Sequence, residues 1–307
     1  MRIESGVRIA AFLIVSGSAI AAPAHAAAQQ AERWCFTGFH PGEVEGTVTL
    51  PEGDLFCPLL ADPKAEHSFA SWLRGEFPAI QDGADADDDI SIGSVGLADA
   101  LPIVRFGGGA PGNGLQVGLA GSVFAQVDLT AESFDLINAD YLIGVPISFR
   151  RGEFSTRLRV YHQSSHLGDE FLLRTELQRE NLSFEAVDLL LSREMGPIRA
   201  YGGGTYLFRR EPDTLERKFA QAGLEARVGA LRGVRFVAAL DAKFTEQHDW
   251  EGGWSARAGV ELTQWRDEQH PPRMVGFLAE FYDGPSPYGQ FFQEQVRWFG
   301  LGLHLSL

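Results

Sequence analysis

The sequence predicts an all-β fold, a transmembrane antiparallel β-barrel of the outer-membrane type with about 12 strands. Three observations predict it. Long runs alternate apolar and polar residues from about position 90 to the end of the chain, where Phe299, Leu301, Leu303, Leu305 and Leu307 alternate with Gly300, Gly302, His304 and Ser306. Beyond the first residues, no window approaches the roughly 20 consecutive apolar residues of a membrane helix. The composition, with 35 glycines and 11% aromatic residues, fits strands that are half polar.

Residues 1–26 read as an export signal. Arg2 and Arg8 supply a basic start, Ile9 to Ala22 an apolar stretch, and Ala24-His25-Ala26 a small-x-small cleavage site, so Ala27 is the expected first residue after processing. Residues 27–65 read as a periplasmic N-terminal segment. It contains the only two cysteines, Cys35 and Cys57, which in an oxidising compartment are expected to form a disulfide worth about 3 kcal/mol. Two cysteines without a histidine cluster do not support a zinc site.

Residues 66–307 read as the barrel. Strands are expected near 66–76, 90–106, 114–130, 141–149, 154–165, 182–193, 198–209, 219–229, 234–244, 254–263, 272–283 and 296–307. Tight turns at 150–153 and 194–197 alternate with longer polar connections such as 166–181. Tight turns mark the periplasmic end of such a barrel and long loops its outer end. Trp250, Trp254 and Trp298 near outer ends, with Trp265 near a periplasmic turn, are expected to form aromatic girdles.

Alternation places Arg157, Arg159, Glu225, Arg227, Arg235, Asp241, Lys243, Arg257, Glu261 and Glu280 on the lumen side, with both signs interspersed. This predicts a lumen packed with ion pairs rather than an open channel. The formal net charge of −15 leaves no basic stripe for phosphates and excludes nucleic acid as a partner. The run Asp82, Asp85, Asp87, Asp88 and Asp89 lacks the spacing of a calcium loop and reads as solvated charge.

The strand Phe154 to Ser165 carries the candidate chemistry. Phe154, Thr156, Leu158, Val160, His162 and Ser164 share one face, and Arg157 and Arg159 belong to the other. A histidine and a serine therefore look outward into lipid, where packing does not ask for them. A serine becomes a nucleophile when an imidazole takes its proton and an acid orients that imidazole. Ser164 is the candidate nucleophile and His162 the base. Glu185 on the next strand has the right parity and height for the third member, and Glu176 is the alternative from the loop. The competing reading is a polar strand tip that hydrogen-bonds water or headgroups. Asp169 and Glu170, beside the site, could hold calcium, although solvated carboxylates are the favoured reading. The oxyanion donor is expected to be a loop amide, with Gly168 nearby.

His162-Gln163-Ser164-Ser165 resembles the His-Gln-Ser-Asn strand of the outer-membrane phospholipase A family, twelve-stranded barrels whose Ser, His and Asn face the outer leaflet. It is also similar to the His-x-Ser element of the lipid A 3-O-deacylase family, which adds a Glu fourteen residues after the His; that spacing selects Glu176. Ser165 stands where the phospholipases have Asn. A wider resemblance covers most of the chain. Cys57 to Pro63, Leu136 to Tyr141, Tyr161 to Phe171 and Asp283 to Phe291 are similar to the signatures of the domain of unknown function 1207 family of bacterial envelope proteins.

Together these resemblances imply an outer-membrane protein exported through the periplasm. Its partners would be outer-membrane lipids (phospholipid or lipopolysaccharide), the outer-membrane assembly machinery and a second copy of the chain. The expected activity is a serine lipid acyl hydrolase, and the alternative is a non-catalytic structural, lipid-binding or small-pore barrel. A soluble periplasmic β-protein is a third reading, requiring the apolar faces to pack on one another.

Overall fold

A computed structural model describes residues 46–81, 90–109, 112–175, 177, 179–231, 233–264 and 273–306. The export signal, Cys35, the aspartate run 82–89, Glu176 and Trp265 lie outside the described residues.

Thirteen strands form one sheet: β1 (Thr47–Thr49), β2 (Ser68–Glu76), β3 (Ile90–Gly107), β4 (Gly114–Asp128), β5 (Leu136–Arg151), β6 (Phe154–Leu167), β7 (Leu182–Met195), β8 (Ile198–Glu211), β9 (Lys218–Leu231), β10 (Val234–Thr245), β11 (Gly252–Gln264), β12 (Arg273–Pro285) and β13 (Gln295–Ser306). From β2 to β13 every strand pairs antiparallel with its chain neighbour, and β13 pairs back onto β2, closing a barrel of twelve strands. Closure leaves no barrel strand with an unpaired edge in the sheet. β1 stands apart from the ring and pairs only with the last residues of β3. No described helix is long and apolar enough to cross a membrane.

Alternation decides the two surfaces. Leu101, Leu119, Ile143, Val145, Val160, Leu189, Leu224, Phe236, Leu240, Phe277, Phe299 and Leu301 are exposed on the outer face. The apolar faces thus point away from one another instead of packing together. The inner face is polar yet buried: Arg105, Arg150, Arg157, Arg199, Glu225, Arg257, Glu261 and Glu280 are all nearly inaccessible. Ion pairs such as Arg227 with Glu225 at 2.8 Å, Arg235 with Glu261 at 2.8 Å and Arg257 with Glu280 at 3.1 Å fill it, as expected from sequence.

The sequence reading set residues 27–65 apart from the barrel; of the described part, β1 is exposed beside the ring, but the later residues lie inside the lumen. After β1 the chain enters the lumen, and Leu55 to Pro63 are buried. Arginines from four strands, β3, β5, β8 and β11, donate to its carbonyls. Arg105 reaches Glu52 O (3.0 Å) and Gly53 O (2.5 Å), Arg150 reaches Leu55 O (3.0 Å), Arg199 reaches Cys57 O (2.9 Å) and Pro58 O (3.2 Å), and Arg257 reaches Leu60 O (2.9 Å). The plug's acidic side chains face other cations: Asp62 meets Lys243 at 3.3 Å, and Glu66 pairs with Arg157 and Arg159. Cys57, in this plug, is disulfide-bonded.

Trp298 corrects the girdle expectation. It shares parity with Gly300, Gly302 and His304, so it points inward, 3% exposed, and stacks on Tyr282 with centroids 4.3 Å apart. Trp250 and Trp254 are exposed at the long-loop end.

The same end is sealed by the connection after β12. Gly289 N donates to Asp140 at 3.0 Å, Ser165 Oγ donates to the same carboxylate, and Lys64 of the plug pairs with it. Gly289 has to be a glycine here, because a Cβ would sit 2.7 Å from the Ser165 Cβ. Three of the four family-like segments thus meet in one lock of β5, β6 and the β12–β13 connection, and Lys64, one residue past the fourth, joins it from the plug. A cavity of about 160 Å³ remains beside Asp62 and Lys64, lined also by Tyr161, Gln221 and Asp241.

Two outcomes follow for the plug. Arg199→Met should destabilise the barrel by about 1–3 kcal/mol in denaturant unfolding, because it leaves two buried plug carbonyls without a donor, while Glu225 keeps Arg227. In a planar bilayer the wild-type barrel should show no steady conductance; a stable open channel would contradict a filled lumen.

Candidate functional site

β6 serves both surfaces at once. Arg157 and Arg159 point into the lumen and are fixed there by Glu66 and Asp188, with Arg159 Nε 2.7 Å from Asp188. That anchoring leaves the other parity, His162 and Ser164, on the outer face, both half-buried. The residue after Ser164, Ser165, returns to the lumen side and bonds Asp140.

Register sets the neighbours. His162 faces Ile143 on β5 and Glu185 on β7, and Ser164 faces Tyr141 and Ser183. His162 Nδ1 lies 3.2 Å from Glu185 Oε1. A carboxylate at that distance accepts the Nδ1 proton and leaves Nε2 as the basic nitrogen. Among the described residues no hydrogen bond joins Ser164 to His162, although the two stand next to each other along one face. Ser164 and His162 line a shallow outer groove with Tyr141, Ile143, Val123 and Leu97. Its walls are apolar, as an acyl chain would require.

The loop residues are placed differently. Asp169 and Glu170 open a short helix, α2 (Asp169–Arg174), and both are exposed. Among the described residues no three His, Cys, Asp or Glu side chains gather where a metal ion could sit. His166 is exposed and its Nδ1 lies 3.0 Å from Arg179 Nη2. The Gly168 amide does not serve as an oxyanion donor, because it donates to Ile137 O at 3.0 Å. Helix α2 requires that turn to close tightly on β5, which commits the amide.

One residue beside the site escaped sequence reasoning. β8 carries a bulge opposite Glu185 and Ala186, so that Leu207 pairs with Ala186 while Arg209 pairs with Glu185, and Phe208 is the extra residue. Before the bulge, odd-numbered Arg199, Tyr201 and Leu207 are buried; after it, Arg209 is turned out. Bulges re-aim side chains in this way. Arg209 Nη1 donates to Glu185 Oε1 at 3.3 Å, the same oxygen that meets His162. The site is therefore a row across three strands: Ser164 and His162, then Glu185, then Arg209.

The family model of the protein of unknown function (DUF1207) matches residues 17–307, and the chain belongs to that family. Among solved structures the barrel is similar to outer membrane phospholipase A from Escherichia coli, at 15% identity and a TM-score of 0.55, over 84% of this chain and 95% of that one. It is also similar to the Salmonella typhi outer membrane phospholipase, a dimer with bound calcium, at 13% identity and a TM-score of 0.53, over 78% of this chain and 91% of that one. At such identities the likeness is one of fold. No curated protein matches the chain.

The bulge is open to a direct check. Single cysteines placed at Leu207, Phe208 and Arg209 and treated with a small permeant maleimide should be modified at 208 and 209 but not at 207. Equal protection of 207 and 209 would mean that β8 alternates without interruption.

Proposed function

We propose that this member of the DUF1207 family is an outer-membrane barrel that removes acyl chains from lipids of the outer leaflet. The observation that carries the reading is the outward His162–Glu185 contact of 3.2 Å with Ser164 on the same lipid-facing surface. A carboxylate bonded to an imidazole on a face otherwise built of Ile143, Val160, Leu189 and Leu191 is not asked for by packing against lipid, and such groups mark function by default.

In this reading the tight turns lie in the periplasm, the long loops face outward, and the row of polar groups stands at the level of the outer headgroups. Ser164 Oγ attacks the ester carbonyl carbon while its proton passes to His162 Nε2. The collapsing intermediate expels the lipid alcohol, which takes that proton from His162. Water, deprotonated by His162 in turn, then attacks the acyl-enzyme and releases the fatty acid, restoring Ser164. Glu185 holds the imidazole in the tautomer that leaves Nε2 basic and stabilises the imidazolium when it forms. Hydrogen bonds of this kind tighten once substrate is seated, which accommodates the absence of a Ser164–His162 bond. Glu185 is favoured over Glu176 as the third member because its place beside His162 is set by strand register.

The non-catalytic reading takes His162, Glu185 and Arg209 as a polar patch at the headgroups. The filled lumen weighs against its small-pore form. Calcium, if it acts, would draw on Asp169 and Glu170 together with ligands from substrate or a second copy.

Incubating the refolded barrel with phospholipid or lipid A, with and without calcium, and reading the lipids by mass spectrometry tests the proposal. Ser164→Ala should lower acyl release at least about 1000-fold and Glu185→Gln about 10- to 100-fold, with barrel assembly unchanged. Wild-type acyl release that persists in Ser164→Ala would refute the assignment.

A further inference from the structure

We infer that Arg209 binds the anionic phosphate of the lipid at the Ser164 site, so that the substrate class is an acyl ester carrying a phosphate close to the scissile bond. This rests on the reading of Ser164 as a nucleophile, but it stands on a different residue and a different contact.

The first support is the backbone. Regular alternation would send Arg209 into the lumen with Leu207, beside buried arginines such as Arg159 and Arg199. The extra residue Phe208 turns it out instead. The irregularity is built in: Arg217 Nη1 donates to Leu207 O at 2.8 Å and to Phe208 O at 3.2 Å, satisfying carbonyls at the bulge. A supporting arginine therefore stabilises a distortion whose effect is to present a cation to lipid.

The second support is what Arg209 lacks. A guanidinium has five N–H donors in a rigid fork. Among the described residues, only the 3.3 Å contact to Glu185 uses one, and the side chain is 77% exposed. Buried Arg199, by contrast, donates to Ser192, Glu225 and two plug carbonyls. A fork with most donors open, on the surface that meets lipid, is matched by a phosphate, which accepts two parallel bonds.

The third support is spacing and charge. His162 and Arg209 stand two strand intervals apart, and Ser164 lies two residues farther along β6, which puts it about 12 Å from Arg209. The long arginine stem narrows that gap, so that one lipid molecule can place an ester at Ser164 and its phosphate at Arg209. Charges also balance. When His162 takes the serine proton, Glu185 is needed by the imidazolium, and Arg209 is released to the phosphate. Two sources share this chemistry, a glycerophospholipid and a phosphorylated lipid A.

The test has a binding arm and a turnover arm. In a Ser164→Ala background, native mass spectrometry would compare retention of phosphatidylglycerol, hexa-acylated lipid A and uncharged diacylglycerol with Arg209 present or replaced by Gln. Arg209→Gln should cut retention of the phosphate-bearing lipid about 10- to 100-fold, leave diacylglycerol unchanged, and be partly rescued by Arg209→Lys. Whichever phosphate lipid shows the loss is the source. In the Ser164-intact protein, the same substitution should raise KM for that lipid at least about 10-fold more than KM for diacylglycerol. Equal retention of all three lipids with and without Arg209, or an equal loss for charged and neutral lipids, would overturn the inference. The equal loss would make Arg209 a support for Glu185. A wild type that cleaves nothing would sink the hydrolase reading alone, since the binding arm still decides the role of Arg209.

Discussion

The pairing of lumen arginines with the carbonyls of the plug is the constraint on which the rest of this structure depends. The lumen of this twelve-stranded barrel is lined by buried charged side chains, and once taken out of water each of them needs partners. Arg105, Arg150, Arg199 and Arg257 each need several acceptors once buried. The plug backbone, which lies in the lumen without a strand partner, needs donors. Each supplies what the other lacks. Pro51, Pro58 and Pro63 suit this arrangement, because a lumen rich in donors and short of acceptors favours a segment with fewer N–H groups.

The outer site inherits its rigidity from that interior. β6 is clamped from within by Glu66 and Asp188 on Arg157 and Arg159, and at its end by Asp140 on Ser165. His162 and Ser164 therefore project from a strand that cannot rotate or slip by a residue without breaking buried ion pairs. Placing a reactive constellation on such a strand holds its geometry more closely than a loop would. The one irregular element beside it, the β8 bulge, adds a cation that the regular pattern could not have delivered.

Much of this was legible in the sequence because period two is a local signal. Every expected strand is present, within a few residues at most positions, and the parity that put Arg157 inside and His162 outside holds. Glu185 was reachable for the same reason, since the tight turns at 150–153 and 194–197 count residues upward on β6 and β7 respectively. The plug was not legible: Leu55 to His67 carry no periodicity, and what buries them is the summed demand of arginines scattered over four strands. Arg209 was hidden because a bulge shifts parity by one residue without leaving a mark in composition. Trp298 was misplaced by reading its depth without its parity, and Gly168 by reading its nearness without its hydrogen bond.

Treating the folded barrel with a fluorophosphonate and mapping the adduct by peptide mass spectrometry asks most directly whether the outer row of side chains activates a serine. The account predicts a single adduct on Ser164 that disappears in His162→Ala and weakens in Glu185→Gln. An unmodified Ser164, or an adduct that forms equally well without His162, would contradict it.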